Sequence, residues 1–239
     1  MRAKALVAIM LIVVGAQIAA ANLPIEIRYG VGRNRIAVKL WKDAEDQLKN
    51  GDIENAKRNV DAALAHDPTL WPALYTRAKI LLGRHEYELA IRDCSEALRQ
   101  YPPFIEAALL RASANVHLGR YAQGLKEINH CIAIHPRSDA LGRALAERAW
   151  LEATCPDRAF RNGSQAFKDA TKACKLLLWE DEFAIEALAA ACAEAGDFDS
   201  ALRYTRQALG VKGISTGEAK ELERELTLYE ERQPIRSGR

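Results

Sequence analysis

Apolar residues recur at spacings of three and four along most of the chain, the pattern of packed amphipathic helices. Residues 182–209 show it most clearly, as two short helical segments on either side of a tight turn at residues 196–198. Their apolar positions are Leu188, Ala189 and Cys192 before the turn, and Ala201, Leu202, Thr205, Ala208 and Leu209 after it. Neither segment can bury its apolar side alone, so the pattern predicts a helical hairpin that packs against further hairpins.

The same hairpin recurs upstream at a fixed interval. Pro68, Pro102 and Pro136 are 34 residues apart, and each follows a helical segment, which a proline ends. A turn precedes each proline, at Gly51, at residues 83–87 and at Gly119. Each turn is followed by a small residue that lets two helices approach closely; these residues are Ala56, Ala90 and Gly124. A period near 34 residues predicts a stack of helix–turn–helix units.

This pattern resembles the tetratricopeptide repeat (TPR) family, and within it an exported bacterial TPR-repeat protein. The resemblance rests on Ala44, Gly51, Ala56, Ala63 and Pro68 in the first unit, on Ala78, Tyr87, Ala90, Ala97 and Pro102 in the second, on Ala112, Gly119, Tyr121 and Pro136 in the third, and on Leu188, Ala189, Gly196, Phe198, Ala201 and Ala208 in the last. It implies an all-α, right-handed α-solenoid of about five hairpins with a C-terminal capping helix. Asp43 departs from the pattern, because the family usually has leucine there.

The expected array spans residues 36–211, with repeats near 37–70, 71–104, 105–138 and 182–211. The unit at 139–181 is irregular, because its turn at residues 155–163 (CPDRAFRNG) is longer than usual. Residues 215–232 predict a capping helix, which begins with a capping box formed by Ser215 and Glu218. The basic tail at 233–239 is expected to be flexible.

The N-terminal residues have the composition of a targeting segment. Arg2 and Lys4 precede an apolar run, and small residues lead up to Asn22. Residues 1–21 therefore predict a secretory signal peptide and an exported protein, periplasmic or extracellular. The alternative is an uncleaved anchor that holds the protein in the inner membrane through residues 5–21. Residues 22–35 predict an extended basic arm.

Composition and motifs exclude several classes of function. The net charge of +2 gives no electrostatic footprint for nucleic acid. The chain contains no GxxxxGK[ST], HExxH or GxSxG motif, so we predict no catalytic residues and no cofactor. His130, Cys131 and His135 lie close in sequence but lack the three or four ligands that zinc needs, so no metal site is predicted. The five cysteines read as buried small residues, with a disulfide between Cys155 and Cys174 as the alternative.

The TPR resemblance implies that the first helix of each repeat lines a concave groove. The exposed groove positions would be Trp41, Lys42, Tyr75, Lys79, Leu109, Ser113, Arg143, Glu147 and Trp150. Aromatic residues and arginine are typical anchors of interfaces, so the leading prediction is a non-catalytic scaffold that binds a partner protein or an extended peptide there. The alternative for the aromatic residues is that they only fill gaps between helices.

Three further hypotheses can be weighed on the sequence. Chaperone-binding TPR domains clamp a C-terminal carboxylate with cationic residues, whereas the matching positions here carry Trp41, Glu45, Thr76, Glu106 and Leu110, so such a ligand is not expected. An envelope enzyme or enzyme subunit could use Asp157, Arg158 and Arg161 of the 155–163 turn; the competing interpretation is a connection whose Asp and Asn cap helices. Self-assembly through the ends of the array is opposed by the polar face of the terminal helix, so a monomer is expected.

Overall fold

The computed structural model describes residues 34–134 and 138–236, and these residues form eleven α-helices and one 3-10 turn, with no strand among them. The helices are α1 (Arg35–Lys49), α2 (Ile53–His66), α3 (Trp71–Gly83), α4 (Tyr87–Gln100), α5 (Ile105–His117), α6 (Tyr121–Ile134), α7 (Ser138–Thr154), α8 (Gly163–Leu176), α9 (Glu182–Glu194), α10 (Phe198–Leu209) and α11 (Thr216–Glu230), with the 3-10 turn at Arg158–Phe160.

The helices pack as five consecutive hairpins, and α11 packs on the second helix of the last hairpin. The first helices of neighbouring hairpins also contact one another, α1 with α3, α3 with α5, α5 with α7 and α7 with α9. These first helices therefore form one continuous inner layer, and the second helices lie outside it. The architecture is an all-α repeat solenoid, as the periodicity predicted.

The turn inside each regular hairpin needs one residue in the left-handed region of backbone space. Gly51, Gly119 and Gly196 occupy it with φ values of 78°, 73° and 83°. Glycine adopts this conformation without the steric cost that a Cβ imposes. In the second hairpin His85 takes the same place with φ of 61°, although it is not a glycine.

Small residues set the spacing of the helices within a hairpin. Ala56, Ala90 and Gly124, which the sequence singled out, are all buried. A Cβ added at Gly124 would lie 2.7 Å from Val116 Cγ2 and 3.0 Å from the Ala112 carbonyl oxygen. Since α5 and α6 leave no room for a methyl group here, the interpretation of Gly124 as a close-approach position is confirmed.

In three hairpins an arginine at an equivalent position bonds to two other helices, a feature that was not predicted from the sequence. Each arginine lies on the first helix of its hairpin. It bonds to an acidic residue on the second helix of the same hairpin and to a polar residue on the second helix of the preceding hairpin. The contacts are Arg77 with Asp93 (2.7 Å) and Asp61 (3.3 Å), Arg111 with Glu127 (3.0 Å) and Ser95 (3.1 Å), and Arg148 with Asp169 (2.7 Å) and Asn129 (2.7 Å). The arginines thereby fix the position of each hairpin relative to the one before it.

The structure describes the C-terminal end of the chain through residue 236 and begins at residue 34 on the N-terminal side. At the C-terminal end, Ser215 and Glu218 form the predicted capping box at the start of α11. The tail expected to be loose from residue 233 is docked through residue 236, since Ile235 is 7% exposed and Arg236 is ion-paired. The predicted signal peptide at 1–21, most of the arm at 22–35, and both His135 and Pro136 lie outside the described residues. None of the helices described here is long and apolar enough to cross a membrane.

Candidate partner-binding groove

A cavity of about 200 Å³ opens on the inner layer and is lined mainly by first helices. It brings together three of the predicted groove residues, Ser113 of α5 with Glu147 and Trp150 of α7. Phe183 of α9 completes one wall, and its ring centroid lies 5.8 Å from that of Trp150. The remaining lining residues are Leu82, Val116, His117, Ile128 and Leu151. We call this cavity the groove pocket.

The exposure of the lining residues shows which of them can change without disturbing the core. Trp150 is only 4% exposed, so it belongs to the wall of the groove pocket and to the core behind it. Ser113 and Glu147 are half-buried at the pocket surface. Ser113 is the smallest of the three predicted residues here and offers the most direct way to fill the pocket.

A second cluster of predicted groove residues lies towards the N-terminal end, between α1 and α3. Trp41 Nε1 donates to Thr76 Oγ1 at 3.0 Å, and Lys79 Nζ lies 3.1 Å from Glu45 Oε1. Lys79 also lies above the Tyr75 ring, 5.2 Å from its centroid. The polar groups in this cluster are therefore bonded to one another across the two helices.

Tyr75 is packed on its other side against Phe104, with ring centroids 4.8 Å apart. Burial, and then the nearby Glu106 carboxylate, raise the pKa of the Tyr75 phenol above its usual value. The phenol therefore stays neutral at physiological pH.

The remaining predicted groove residues are not brought into either group. Arg143 is exposed and pairs with Glu106 across α7 and α5 at 3.7 Å. Lys42 is exposed on α1. Leu109 was expected on the exposed side of α5, but it is 6% exposed and packs with Ile105 in the core. Leu109 is buried because it belongs to the core cluster that α5 forms with α7 residues such as Leu151.

The irregular turn at 155–163 is held by its own polar side chains. Asp157 accepts a hydrogen bond from the Ala159 backbone N–H at 2.9 Å, and Asn162 caps α8 through the Gln165 N–H at 3.1 Å. Arg161 Nη1 donates to the carbonyl oxygen of Cys155 at 2.8 Å. This geometry agrees with the interpretation in which Asp and Asn cap helices in a connecting segment.

A second, larger cavity of about 590 Å³ lies on the outer side, between α5 and α6. Its lining includes Lys126, His130 and Cys131, together with Arg111 and Glu127, which pair with each other. Burial raises the pKa of the Cys131 thiol to about 11, so the thiol is protonated and weakly nucleophilic near neutral pH. Within residues 34–134 and 138–236, no group of three or more His, Cys, Asp or Glu residues is arranged to hold a metal ion.

The five cysteines all fall in the described part of the chain, and each is a buried free thiol. Cys155 and Cys174, the pair considered for a disulfide, are therefore not bonded to each other. Cys174 instead donates through Sγ to the Ala184 carbonyl oxygen at 3.3 Å.

Phe183, Leu82 and His117 line the groove pocket but were not predicted from the sequence. Leu82 and His117 lie in the last turns of α3 and α5, beyond the predicted groove positions of these helices. Phe183 is the second residue of α9, whose start is marked in the sequence by the N-cap residue Asp181. The irregular unit before α9 breaks the 34-residue period, so the period does not indicate which side of α9 faces the groove.

No family model matches the chain. Among curated proteins, it is similar to Hsp70-Hsp90 organizing protein 3 of Arabidopsis thaliana, with 28% identity over 92 residues, which is 38% of this chain and 16% of that protein. The chain spans less than a fifth of the length of the curated relatives it matches.

Solved structures with the same fold include repeat proteins of this kind. A chain of the APC/C hetero-tetramer Cut9–Hcn1 aligns with a TM-score of 0.67 and 17% identity, over 83% of this chain and 37% of that one. A thermophilic TPR protein of Thermus thermophilus aligns with a TM-score of 0.61 and 18% identity, over 80% of this chain and the whole of that one. At these identities the likeness establishes the fold.

Proposed function

We propose that this chain, an all-α repeat solenoid with the fold of a known tetratricopeptide-repeat protein, is a non-catalytic scaffold that binds a partner protein or an extended peptide in its concave groove. Folds of this kind generally serve as protein–protein interaction scaffolds. The particular surface we assign is the inner layer of first helices, centred on the groove pocket.

The size and lining of the groove pocket carry this proposal. At about 200 Å³, it is smaller than the ~300–1,000 Å³ typical of small-molecule sites. It has the dimensions to accept one anchoring side chain of a larger partner, and its walls include the Trp150 and Phe183 rings. Binding hot spots are enriched in aromatic residues and lie in well-packed pockets of this kind.

The charges along the groove argue for a partner recognised by shape and apolar burial. Glu45 is paired with Lys79, and Glu106 with Arg143, so these charges balance locally. At the positions of the chaperone clamp the structure presents these acidic side chains. We therefore propose that the ligand differs from a carboxylate-terminated chaperone tail, even though a curated relative is named for organizing Hsp70 and Hsp90.

We propose that the 155–163 turn is a structural connection and that the protein is not an enzyme. The enzyme hypothesis depends on Asp157, Arg158 and Arg161. Asp157 accepts a bond from the Ala159 backbone N–H, and Arg161 bonds to the Cys155 carbonyl oxygen and to the Glu194 carboxylate, so both side chains take part in structural contacts.

For the cellular setting, we propose an exported protein whose residues 1–21 are removed and which is monomeric outside the cytoplasm. The N-terminal composition supports this proposal. Mass spectrometry of the protein recovered from the envelope tests it: a mature N-terminus at Asn22 supports cleavage, and a retained Met1 supports the inner-membrane anchor.

Site-specific photocrosslinking tests the groove assignment. A benzophenone amino acid replaces Arg143, an exposed predicted groove residue of α7 that does not line the groove pocket, in one variant, and Ser164, an exposed residue at the start of the outer helix α8, in a control. We expect a partner to crosslink to the Arg143 position and not to the Ser164 position. Crosslinking from position 164 alone would contradict the groove assignment, and a partner that crosslinks only when the probe replaces Lys126 would place it at the outer cavity.

A further inference from the structure

The segment that follows α11 turns back onto the array and docks there as a non-helical stretch. Ile235 is 7% exposed and belongs to the core cluster formed by α7 to α11. Arg236 Nη2 lies 2.5 Å from Glu194 Oε2, and its Nη1 donates to the Ala153 carbonyl oxygen at 3.3 Å. The segment is not helical at these residues, so its position depends on these side-chain contacts.

The receiving surface is built from two first helices and the irregular turn. Glu194 lies at the C-terminal end of α9 and is 16% exposed at its side chain. Its other oxygen, Oε1, accepts from Arg161 Nε at 3.1 Å, and Arg161 in turn donates to the carbonyl oxygens of Cys155 and Pro156. The longer turn thus holds Arg161 against Glu194 and fixes the carboxylate in place.

The contacts have the composition of a peptide-binding site. One aliphatic side chain fills an apolar position, and the next residue places a guanidinium on a largely buried carboxylate and on a backbone carbonyl. Charge-assisted bonds of this kind are stronger than neutral ones and are sensitive to geometry. Arginine suits this position better than lysine, because its fork of N–H donors can bond to the Glu194 carboxylate and to the Ala153 carbonyl oxygen at the same time.

We propose that the surface formed by Glu194, Ala153 and Arg161 is a docking site for extended segments with an aliphatic residue followed by arginine, and that residues 234–236 occupy it in cis. A partner segment of the same chemistry would bind by displacing the tail. Since linkage through the chain gives the tail a high effective concentration, the site is closed to weak ligands and opens to those that compete well. This site uses none of the residues that line the groove pocket.

The charge of the carboxylate is central to this proposal, and the structure offers a matched control. The Glu221–Arg224 pair of α11 is exposed, at 52% and 76% of its side chains, and touches neither the tail nor the site. A change at Glu221 alters the same type of charge without altering the docking surface.

The test uses the full chain and a fluorescent peptide with the sequence of residues 232–239 (RQPIRSGR). In a tail variant, Ile235→Ala with Arg236→Ala, the site is intact and its occupant is weakened. We expect fluorescence anisotropy to show that this variant binds the peptide at least about tenfold more tightly than the parent, and that adding Glu194→Gln abolishes that gain, whereas adding Glu221→Gln does not. A folded tail variant that binds no better than the parent, or a gain that survives Glu194→Gln, would overturn the proposal.

Limited trypsin digestion gives a second measurement that does not require the tail variant to fold. If Glu194 and Ala153 hold Arg236, cleavage after Arg236 is slow in the parent and at least about fivefold faster in Glu194→Gln, because cleavage requires the tail to leave the site. Glu221→Gln should behave like the parent. Equal rates of cleavage after Arg236 in the parent and in Glu194→Gln would show that the tail is not held there, and would likewise overturn the proposal.

Discussion

Arg148 of α7 and Asp169 of α8 form an ion pair with 2.7 Å between Nε and Oδ2, across the longest turn inside any hairpin of the described array. The equivalent arginines of the two preceding hairpins, Arg77 and Arg111, each pair with an acidic residue 16 positions later, whereas this one spans 21 positions. The arginine–carboxylate contact between the two helices is therefore kept despite the extra residues of the irregular turn.

We expect Arg148→Ala to lower the free energy of unfolding by about 2–3 kcal/mol, because it leaves the carboxylate of Asp169 buried without its charged partner. The side chains of Arg148 and Asp169 are 20% and 6% exposed. The control, Arg224→Ala, removes an exposed pair and should cost less than about 0.5 kcal/mol. Urea unfolding followed by circular dichroism measures both, and equal effects of the two changes would contradict a bridging role for Arg148.

Replacing glycine by alanine is expected to have opposite effects on stability at Gly124 and at Gly83. Gly124→Ala places a Cβ 2.7 Å from Val116 Cγ2, so we expect it to destabilise the protein by about 1–3 kcal/mol through overpacking. Gly83→Ala places a Cβ in open space at the end of α3 and should be neutral or stabilising by up to about 1 kcal/mol. Thermal unfolding of the two variants and of the parent measures these differences in stability. A Gly124→Ala variant as stable as the parent would mean that α5 and α6 are not in such close contact.

His85 occupies the turn position that glycine takes in three other hairpins. Its replacement by alanine or by glycine removes the same ring and the contact between His85 Nδ1 and the Tyr87 hydroxyl at 2.6 Å. The alanine variant must still place a Cβ in the left-handed region, where φ is 61°. We therefore expect His85→Gly to be more stable than His85→Ala by about 1 kcal/mol in denaturant unfolding. If the alanine variant equals the glycine variant, the turn does not require this conformation.

The ionisation of Glu152 is expected to make the stability of the protein depend on pH. Burial raises the pKa of this carboxyl to about 7, with Asp169 acting in the same direction and Arg148 opposing it. Since the folded-state pKa lies above the unfolded one, the unfolded state loses its proton first, and this group's contribution to stability falls as the pH rises from about 4.5 to 7.

The amide of Glu152→Gln cannot ionise, so we expect the variant to gain stability relative to the parent as the pH rises through this window. Urea midpoints at pH 5 and pH 8 measure the gain. A difference between variant and parent that is the same at both pH values would contradict the raised pKa.

Much of the fold could be read from the sequence, because the repeat imposes a period that local residues reveal. Gly51, Gly119 and Gly196 marked turns that need a left-handed residue, and Ser215 with Glu218 marked the start of the last helix. The arginine contacts were not predicted, although Arg77 and Arg111 are one period apart. Their partners on the preceding second helix become apparent only when the hairpins are stacked.

The groove was harder to predict than the fold. Leu109 and Trp150 both lie on first helices, yet both are buried, because Leu109 packs against α7 residues and Trp150 packs against Phe183 of α9. The docked tail could not be foreseen from composition, because the acceptors of Arg236 are a side chain and a carbonyl oxygen more than 40 residues away in sequence.

The measurement that most directly tests the central claim is the affinity of a groove ligand for two phenylalanine variants. A peptide is first selected from a displayed random library on the immobilised parent chain, and its Kd is then measured by fluorescence anisotropy. Ser113→Phe fills the groove pocket, whereas Ser164→Phe adds the same side chain to the outer helix α8.

If the groove pocket is the anchor site, Ser113→Phe raises the Kd at least about tenfold, and Ser164→Phe leaves the Kd within about twofold of that of the parent. Circular dichroism confirms that both variants are folded. A folded Ser113→Phe variant that binds the selected peptide as tightly as the parent would contradict the proposal that partners bind in the concave groove.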